Sequence, residues 1–211
     1  MYFMANAAGI PRVPLGRPRG FDADVALRVA IEVFWQHGYE ATSIDELNRS
    51  MDLSRSSFYA CFGSKHALLM AAVRLYADER FAALSQLASS NADPGDAVLG
   101  MLAAIAEVDG GTRGCLFVNS VAELAPGDAE LVAFAQLHTA RVGALMTATL
   151  ARAGCSKAQA SKRAGAMLAL AMGVTTLRKT GLPASELTSL LAQANHLLPL
   201  NPPTLKRRNR L

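Results

Sequence analysis

The chain has 211 residues, which is enough for one large domain or two modest ones. Hydrophobic residues make up 51% of it and aromatic residues only 6%, which favours an all-α protein with an ample core. The three cysteines form no close metal-type pair, so a reducing cytoplasm is expected rather than a disulfide scaffold. The start of the chain does not resemble a secretory signal, and the longest apolar segment, 164–177, is too short to span a bilayer. We therefore expect a cytoplasmic protein with no membrane partner.

The net charge of +4 is concentrated at the two ends of the chain. Three arginines give residues 1–20 a charge of +3, and four basic residues give residues 199–211 a charge of +4, which leaves −3 on the rest. The first segment is expected to be a flexible basic arm, in which Arg17 and Arg19 could lie along DNA phosphates or enter a minor groove. A solubilising terminus is the alternative, and it is the favoured interpretation of the basic tail.

The first predicted helix begins at Asp22 or Asp24, because carboxylates suit the positive end of the helix dipole, and ends at Gly38. This helix is expected to cover the core-facing sides of the two helices that follow. The apolar stripe expected to do so contains Val25, Val29, Ala30, Val33 and Phe34.

Two short helices joined by a tight turn are predicted between residues 42 and 65. Thr42 or Ser43 can cap the first and Ser54 the second, since their side-chain oxygens accept hydrogen bonds from first-turn amides. Asp52 occupies the turn, and aspartate tolerates a positive φ better than most residues. The pair is either a hairpin that merely packs or a helix-turn-helix whose recognition helix covers about 54–60.

The second short helix has a composition that suits the DNA major groove. Phe58 and Phe62 share one face, which leaves Arg55 and several hydroxyl groups mostly on the other. Arginine can make a bidentate contact to guanine, and hydroxyls can bond to base edges or phosphates. The pattern therefore favours a DNA-reading helix.

Together with the preceding segment, these residues resemble the N-terminal DNA-binding domain of TetR-type (TetR/AcrR-type) transcriptional regulators. The resemblance covers roughly residues 20 to 75, with Asp52 standing where the family usually has glycine and Asn48 replacing a small residue. The matching positions are Ala26, Ala30, Phe34, Gly38, Tyr39, Thr42, Ile44, Phe58, Tyr59, Phe62, Ser64, Lys65, Leu68 and Leu69.

The resemblance implies a homodimer that binds a palindromic operator in double-stranded DNA, usually as a repressor, and that a small-molecule inducer releases. It also implies phosphate contacts by Tyr59 and Lys65. The complete set of residues expected to contact DNA is Arg17, Arg19, Thr42, Ser43, Ser54, Arg55, Ser56, Ser57, Tyr59 and Lys65.

After Ser64, helical spacing of apolar residues continues to about Ser90, which predicts one long helix. Residues 91–95 combine a turn with helix-start chemistry, including Pro94 in a first turn, and five further helices follow. The expected organisation is an arm at 1–20, a helix-turn-helix DNA-binding domain at 21–66, a linking helix at 67–90, a regulatory and dimerisation domain at 91–198 and a tail at 199–211.

Residues of the middle helices could line an apolar cavity for a small ligand, as the resemblance implies, or could be plain core. A ligand there would tilt the linking helix and change the spacing of two recognition helices. Cys115 follows a glycine at a predicted helix start, so a reactive thiolate and a buried inert cysteine are both open interpretations. The candidate pocket residues are Met101, Ile105, Cys115, Phe117, Phe134, His138 and Met146.

Small residues four apart leave one ridge of the penultimate helix almost without side chains, so another helix can approach it closely. Intrachain packing would explain this as well as dimerisation. The resemblance implies that the last two helices pair with their symmetry mates, and a twofold dimer would double the DNA contacts. The predicted interface residues are Gly165, Ala169, Gly173, Leu187, Leu190, Leu191 and Ala194.

No catalytic constellation is apparent in the sequence. Carboxylates of the second domain are scattered, no His/Glu helix pair has metal-ligand spacing, and neither a phosphate loop nor a nucleophile elbow occurs. We therefore expect no enzyme activity, no metal and no cofactor. A helical adaptor that uses the head for protein contacts is a further alternative, which an Arg55→Ala variant would separate from a DNA-binding regulator.

Overall fold

The computed structural model describes residues 22–90, 92–125 and 127–198. Their helices are α1 (Ala23–His37), α2 (Ile44–Ser50), α3 (Arg55–Phe62), α4 (Lys65–Ser90), α5 (Pro94–Ala106), α6 (Leu116–Leu124), α7 (Ala129–Arg152), α8 (Lys157–Arg178) and α9 (Ala184–Ala192), with short 3₁₀ turns at Gly111–Arg113 and Gln193–Leu197.

The predicted all-α class is confirmed, because the described residues contain helices and no strand. An N-terminal helix-turn-helix precedes a helical bundle, as expected. Among these residues, no helix combines the length and apolarity needed to cross a membrane. Arg17 and Arg19 of the predicted arm, and the whole predicted tail, lie outside the described residues.

Helix α1 begins and ends as predicted. The Asp22 carboxylate caps it by accepting from the backbone N–H of Asp24 at 2.9 Å, and the chain leaves the helix at Gly38 with φ of 81°. The predicted apolar stripe is wrong at its first position, since Val25 is 58% exposed. The buried face begins one residue later, because α1 lies on α4 through Ala26 and Ala30.

The helix-turn-helix is built by local capping. The Ser43 hydroxyl accepts from the N–H of Glu46 at the start of α2, and the Ser54 hydroxyl accepts from the N–H of Ser57 at the start of α3, both at 3.1 Å. Asp52 lies in the turn with φ of 54°, as its residue type allows. These caps and this turn set the direction in which α3 leaves α2.

The first hydrophobic core joins the three-helix head to the body. Phe34 of α1, Leu47 of α2 and Phe58 of α3 are buried against the first half of α4. The same cluster continues into Leu116 of α6 and Leu131 of α7. The head is therefore packed on the body through α6 and α7 as well as through the continuous helix α4.

The second hydrophobic core fills the bundle. It combines Leu84 and Ala88 of the second half of α4 with Met101 of α5, Met146 of α7 and Met167 of α8. Helix α4 thus contributes to both cores. It therefore connects the core of the bundle to the core of the head.

Candidate functional site

The outer face of α3 is exposed, as the sequence predicts. The side chain of Arg55 is 66% exposed, and its guanidinium Nη1 lies 3.7 Å from Oδ1 of Asp45. Tyr59 is 44% exposed, and its ring meets the edge of the buried Phe58 ring at a centroid distance of 5.3 Å. Burial of Phe58 on one side therefore presents Arg55, Ser56 and Tyr59 on the other.

The hydroxyl groups at the start of α3 form a local network. Besides capping the helix, Ser54 Oγ lies 2.9 Å from the hydroxyl oxygen of Ser56 and 2.8 Å from that of Ser57. A hydroxyl carries one donor and two acceptor positions, so this network orders the polar surface before any partner arrives.

Thr42 does not fit the predicted DNA contact. Its side chain is 1% exposed, and its hydroxyl donates to the backbone oxygen of Gly38 at 2.6 Å. This bond closes the loop between α1 and α2. The neighbouring Ser43 is the exposed cap of α2, so it takes the cap position that the sequence left open between the two residues.

Lys65 anchors the same loop to α4. Its ammonium donates to the backbone oxygens of Tyr39 at 2.9 Å and Thr42 at 3.0 Å, and it lies 4.1 Å from the centroid of the Tyr39 ring. An ammonium has three N–H donors, and these two carbonyls take two of them. The structure therefore shows Lys65 holding the head together, and its phosphate contact stays a prediction for the third donor.

Glu123 of α6 is a head contact that the sequence analysis missed. Its two carboxylate oxygens accept from the backbone N–H groups of Tyr39 at 2.9 Å and Glu40 at 2.8 Å. The partners are 84 and 83 residues away, so no local pattern could reveal the contact. It attaches the α1–α2 loop to the body without passing through α4.

Three further contacts support this attachment. The Trp35 indole donates to the backbone oxygen of Gly114 at 3.2 Å, and the Arg113 guanidinium lies over the Trp35 ring, 4.0 Å from its centroid. Arg113 also donates to the Glu32 carboxylate at 2.6 Å. All three contacts join α1 or its following loop to α6 or the 3₁₀ turn before it.

A cavity of about 100 Å³ lies between α4, α5, α6, α7 and α8. Four predicted pocket residues line it, namely Ile105, Cys115, Phe117 and His138. The wall that α4 supplies is absent from the predicted residues, because the pocket was expected to lie wholly beyond the linking helix. That wall contains Tyr76, Ala77, Arg80, Ala83 and Leu84.

The other three predicted pocket residues are wrong. Met101 and Met146 are fully buried in the second core, where they contact other side chains rather than the cavity. Phe134 packs behind the wall, with its ring 6.2 Å from that of Phe117 and 5.9 Å from that of His138. Helical spacing could not separate these positions, since core and cavity walls are both apolar.

Two titratable side chains of the cavity, Tyr76 and His138, are held in neutral forms. Burial, together with the neighbouring Cys115, raises the pKa of Tyr76, whose hydroxyl lies 3.6 Å from Cys115 Sγ. Burial, together with nearby Arg141, lowers the pKa of His138 below its ordinary value of 6.5. At neutral pH the phenol and the imidazole therefore add no charge to the cavity.

Part of the predicted dimer surface is exposed, and part of it is buried within the chain. Gly165, Ala169 and Gly173 form an exposed ridge on α8, and a side chain added at either glycine would meet nothing within 4 Å. Leu190 of α9 is 39% exposed, and Leu191 packs partly on the body.

Leu187 and Ala194 are wrong as interface residues, because both are fully buried within the chain. Leu187 packs with Ala106 and Val174 in a small third core, and Ala194 belongs to the second core. Among the predicted interface residues, the α8 ridge and Leu190 are exposed, and their contact with a partner stays a prediction.

The arrangement of the helices by itself indicates the class of protein. A three-helix head with a capped, exposed α3, joined by a long helix to a helical bundle, is the architecture of helix-turn-helix regulators. Residues 26–72 match the family model described as bacterial regulatory proteins, tetR family.

Similar proteins agree with this assignment. The chain is 36% identical over 121 residues to the HTH-type transcriptional repressor ComR of Escherichia coli (strain K12), an alignment that covers 55% of this chain and 57% of ComR. It is 29% identical over 113 residues to the HTH-type transcriptional repressor BdcR of the same organism, covering 52% and 57% of the two chains. The chain thus spans little more than half the length of these relatives.

Solved structures extend the likeness to the whole fold. A cysteine mutant of the TetR family transcriptional regulator CifR, complexed with 26bp double-strand operator DNA, superposes with a TM-score of 0.74 at 25% identity, over 87% of this chain and 100% of that one. E. coli NemR in its reduced form superposes with a TM-score of 0.75 over 86% and 98%, and at 19% identity shows the fold alone. The sequence match to the tetR family covers residues 26–72, and the fold of the described residues is the one seen in the TetR-family regulator CifR.

Proposed function

We propose that this protein is a member of the TetR family, a homodimeric, sequence-specific DNA-binding transcriptional regulator, and that it acts as a repressor which a small molecule releases from a palindromic operator. The observation that carries the proposal is the exposed face of α3, where Arg55 and Ser56 stand opposite the buried Phe58. An arginine beside ordered hydroxyls can read guanine and hold phosphates.

Dimerisation follows from the size of α3. Its eight residues extend about 12 Å, so one copy touches few base pairs. Two copies related by a twofold axis would read two half-sites about one helical turn apart. The open ridge of Gly165, Ala169 and Gly173 on α8, together with Leu190, supports a close helix-to-helix contact for such a pair.

Ligand control follows from the double role of α4. Its residues Tyr76, Ala77 and Arg80 form one wall of the cavity, while its first turns carry the head. The cavity of about 100 Å³ is smaller than the sites that take drug-sized ligands, so a ligand that exceeds this volume would press on α4. Movement of α4 would change the spacing of the two heads and weaken operator binding.

The experiment is selection of bound sequences from a random pool of double-stranded DNA by the full chain, followed by affinity measurements at two salt concentrations. We expect an enriched palindrome, and an affinity that falls steeply with salt because phosphate contacts release counterions. Recovery of no enriched sequence would overturn the proposal.

Arg55→Ala tests the recognition helix on the selected operator. Loss of a bidentate base contact is expected to weaken binding by about 1–3 kcal/mol and to relax specificity at one position of each half-site. Arg141→Ala is the control with the same loss of charge, since Arg141 pairs with Asp78 in the body and lies over the Phe81 ring. Unchanged binding by Arg55→Ala would remove that residue from the interface.

A further inference from the structure

Two arginines share a single carboxylate beside the cavity. Arg80 of α4 donates to the Glu107 carboxylate and, at 2.8 Å, to the backbone oxygen of Ala104. Arg178 of α8 donates to the backbone oxygens of Glu107 and, at 2.7 Å, of Gly114. Its Nη1 also lies 3.6 Å from the second oxygen of the Glu107 carboxylate. Glu107 therefore ties the linking helix to α8.

This cluster carries an excess positive charge, and one of its two cations is buried. Its two guanidinium groups face one carboxylate, and Arg178 is only 2% exposed with its Nε lacking a hydrogen-bond partner. A buried charge without a matching partner is costly, and a second anion would relieve that cost. Glu107 itself is held in the left-handed region with φ of 42°, an arrangement that persists where the surroundings require it.

Only one of these arginines reaches the cavity. Arg80 lines it, and among the lining residues that the structure describes there is no other arginine, and no lysine or carboxylate. The remainder of the wall offers apolar side chains such as Ile105, Val118 and Met172. The cavity therefore presents a single cation at the edge of an apolar space.

We infer that the ligand is a small apolar monocarboxylic acid, whose carboxylate binds Arg80 while Glu107 keeps Arg178 as its partner. This inference deepens the proposed function, since it names the chemical class of the inducer. With the acid bound, two guanidinium groups face two carboxylates, and neither carboxylate is left without an arginine. The apolar part of the acid would lie among Ile105, Val118 and Met172.

The exchange has a consequence for the linking helix. Arg80 is on α4 and Glu107 follows the last residue of α5, so their ion pair is a direct link between these two helices. An acid that takes Arg80 from Glu107 opens this link at the wall of the cavity. The acid would thus act on α4 in two ways, by replacing Glu107 as the ion-pair partner of Arg80 and by occupying space against the wall that α4 forms.

The test uses matched acids and amides with the full chain in the absence of DNA. Straight-chain acids of three to eight carbons are compared with the amides of the same length by calorimetric titration and by the rise in melting temperature. We expect at least one acid to bind about tenfold or more tightly than its amide, because a hydrogen-bonded ion pair replaces a neutral contact. Equal affinities, or no binding by any acid of the series, would overturn the inference.

Three variants locate the site. Arg80→Gln is expected to abolish the preference for acid over amide, whereas Arg74→Gln should keep it, because Arg74 is on the same helix but pairs with Glu130 outside the cavity. Glu107→Gln provides a second test if Arg80→Gln does not fold. Loss of the competing carboxylate should tighten acid binding severalfold. Acid binding that survives in Arg80→Gln, or weakens in Glu107→Gln, would refute the assignment.

Operator binding is measured separately on the wild-type chain, so the two proposals can fail independently. If the chain binds acids but selects no operator, the inferred ligand class is supported and the proposed DNA-binding function is refuted. If the chain selects an operator but does not prefer acids over amides, the proposed DNA-binding function is supported and the inferred ligand class is refuted.

Discussion

Replacing Glu123 by glutamine should loosen the head without disturbing the helix that carries the residue. The carboxylate accepts two backbone N–H bonds from the α1–α2 loop, at 2.9 and 2.8 Å. Glutamine has one oxygen for these two donors, and its amide group would face the other N–H. The Glu123 carboxylate also lies close to Gly38, since a Cβ added at Gly38 would lie 3.0 Å from a Glu123 oxygen.

The expected magnitude follows from the number and exposure of these bonds. Hydrogen bonds to charged groups contribute about 1.5–3 kcal/mol each when buried, but Glu123 is exposed, so we take about 0.5–1 kcal/mol for each. Glutamine keeps an oxygen for only one of the two N–H groups, so the variant should lose about 0.5–1 kcal/mol of unfolding free energy. In a chain of this length, that lowers the melting temperature by about 1–4 °C.

Urea denaturation followed by circular dichroism at pH 7 measures this loss. Glu40→Gln is the matched control, because Glu40 is an exposed glutamate of the same loop whose backbone, rather than side chain, takes part in the contact. If the two variants lose the same free energy of unfolding within about 0.3 kcal/mol, the contact between Glu123 and the α1–α2 loop does not stabilise the head, and the prediction is refuted.

Three other substitutions test neighbouring parts of the structure. Lys65→Met should lower the free energy of unfolding by about 1–3 kcal/mol in urea, because two loop carbonyls lose their ammonium donor. Asp128→Ala should cost about 1 kcal/mol at pH 7 through loss of the α7 cap. The backbone N–H of Leu131 is the main cause that lowers the pKa of Asp128 below its ordinary 3.8, so the stabilisation is present above that pH. The difference from wild type should therefore vanish as the pH falls through the lowered pKa. Leu190→Arg should raise the dimer dissociation constant tenfold or more in sedimentation equilibrium, whereas Leu137→Arg, on exposed α7 surface, should not. A monomeric wild type would contradict the proposed dimer.

Several features of the head could be predicted because they depend on neighbours within a few positions. The Ser54 cap and the positive φ of Asp52 were predictable from residue type and spacing. The same reasoning narrowed the start of α1 to Asp22 or Asp24, and the structure selects Asp22. It narrowed the cap of α2 to Thr42 or Ser43, and the structure selects Ser43. The burial of Phe58, which exposes the opposite side of α3, follows from the same local periodicity.

Periodicity was a weaker guide in the body, where almost every helix has apolar residues on more than one side. It correctly selected Ile105 as cavity wall, but it selected Met101 as well, although that side chain is plain core. It likewise grouped Leu187 with Leu190, whereas α8 covers the first and leaves the second open. The choice between core, cavity and surface depends on which helices pack together.

The sequence by itself determined the helices, their caps and the helix-turn-helix, since each of these depends on hydrogen bonds and side-chain spacing within one or two turns. Only the tertiary structure decided how the head is attached and how the cavity is charged. Glu123 meets its partners across more than 80 residues, and Arg178 meets Glu107 across 71. Such contacts depend on the relative positions of whole helices, which the packing of the two cores determines.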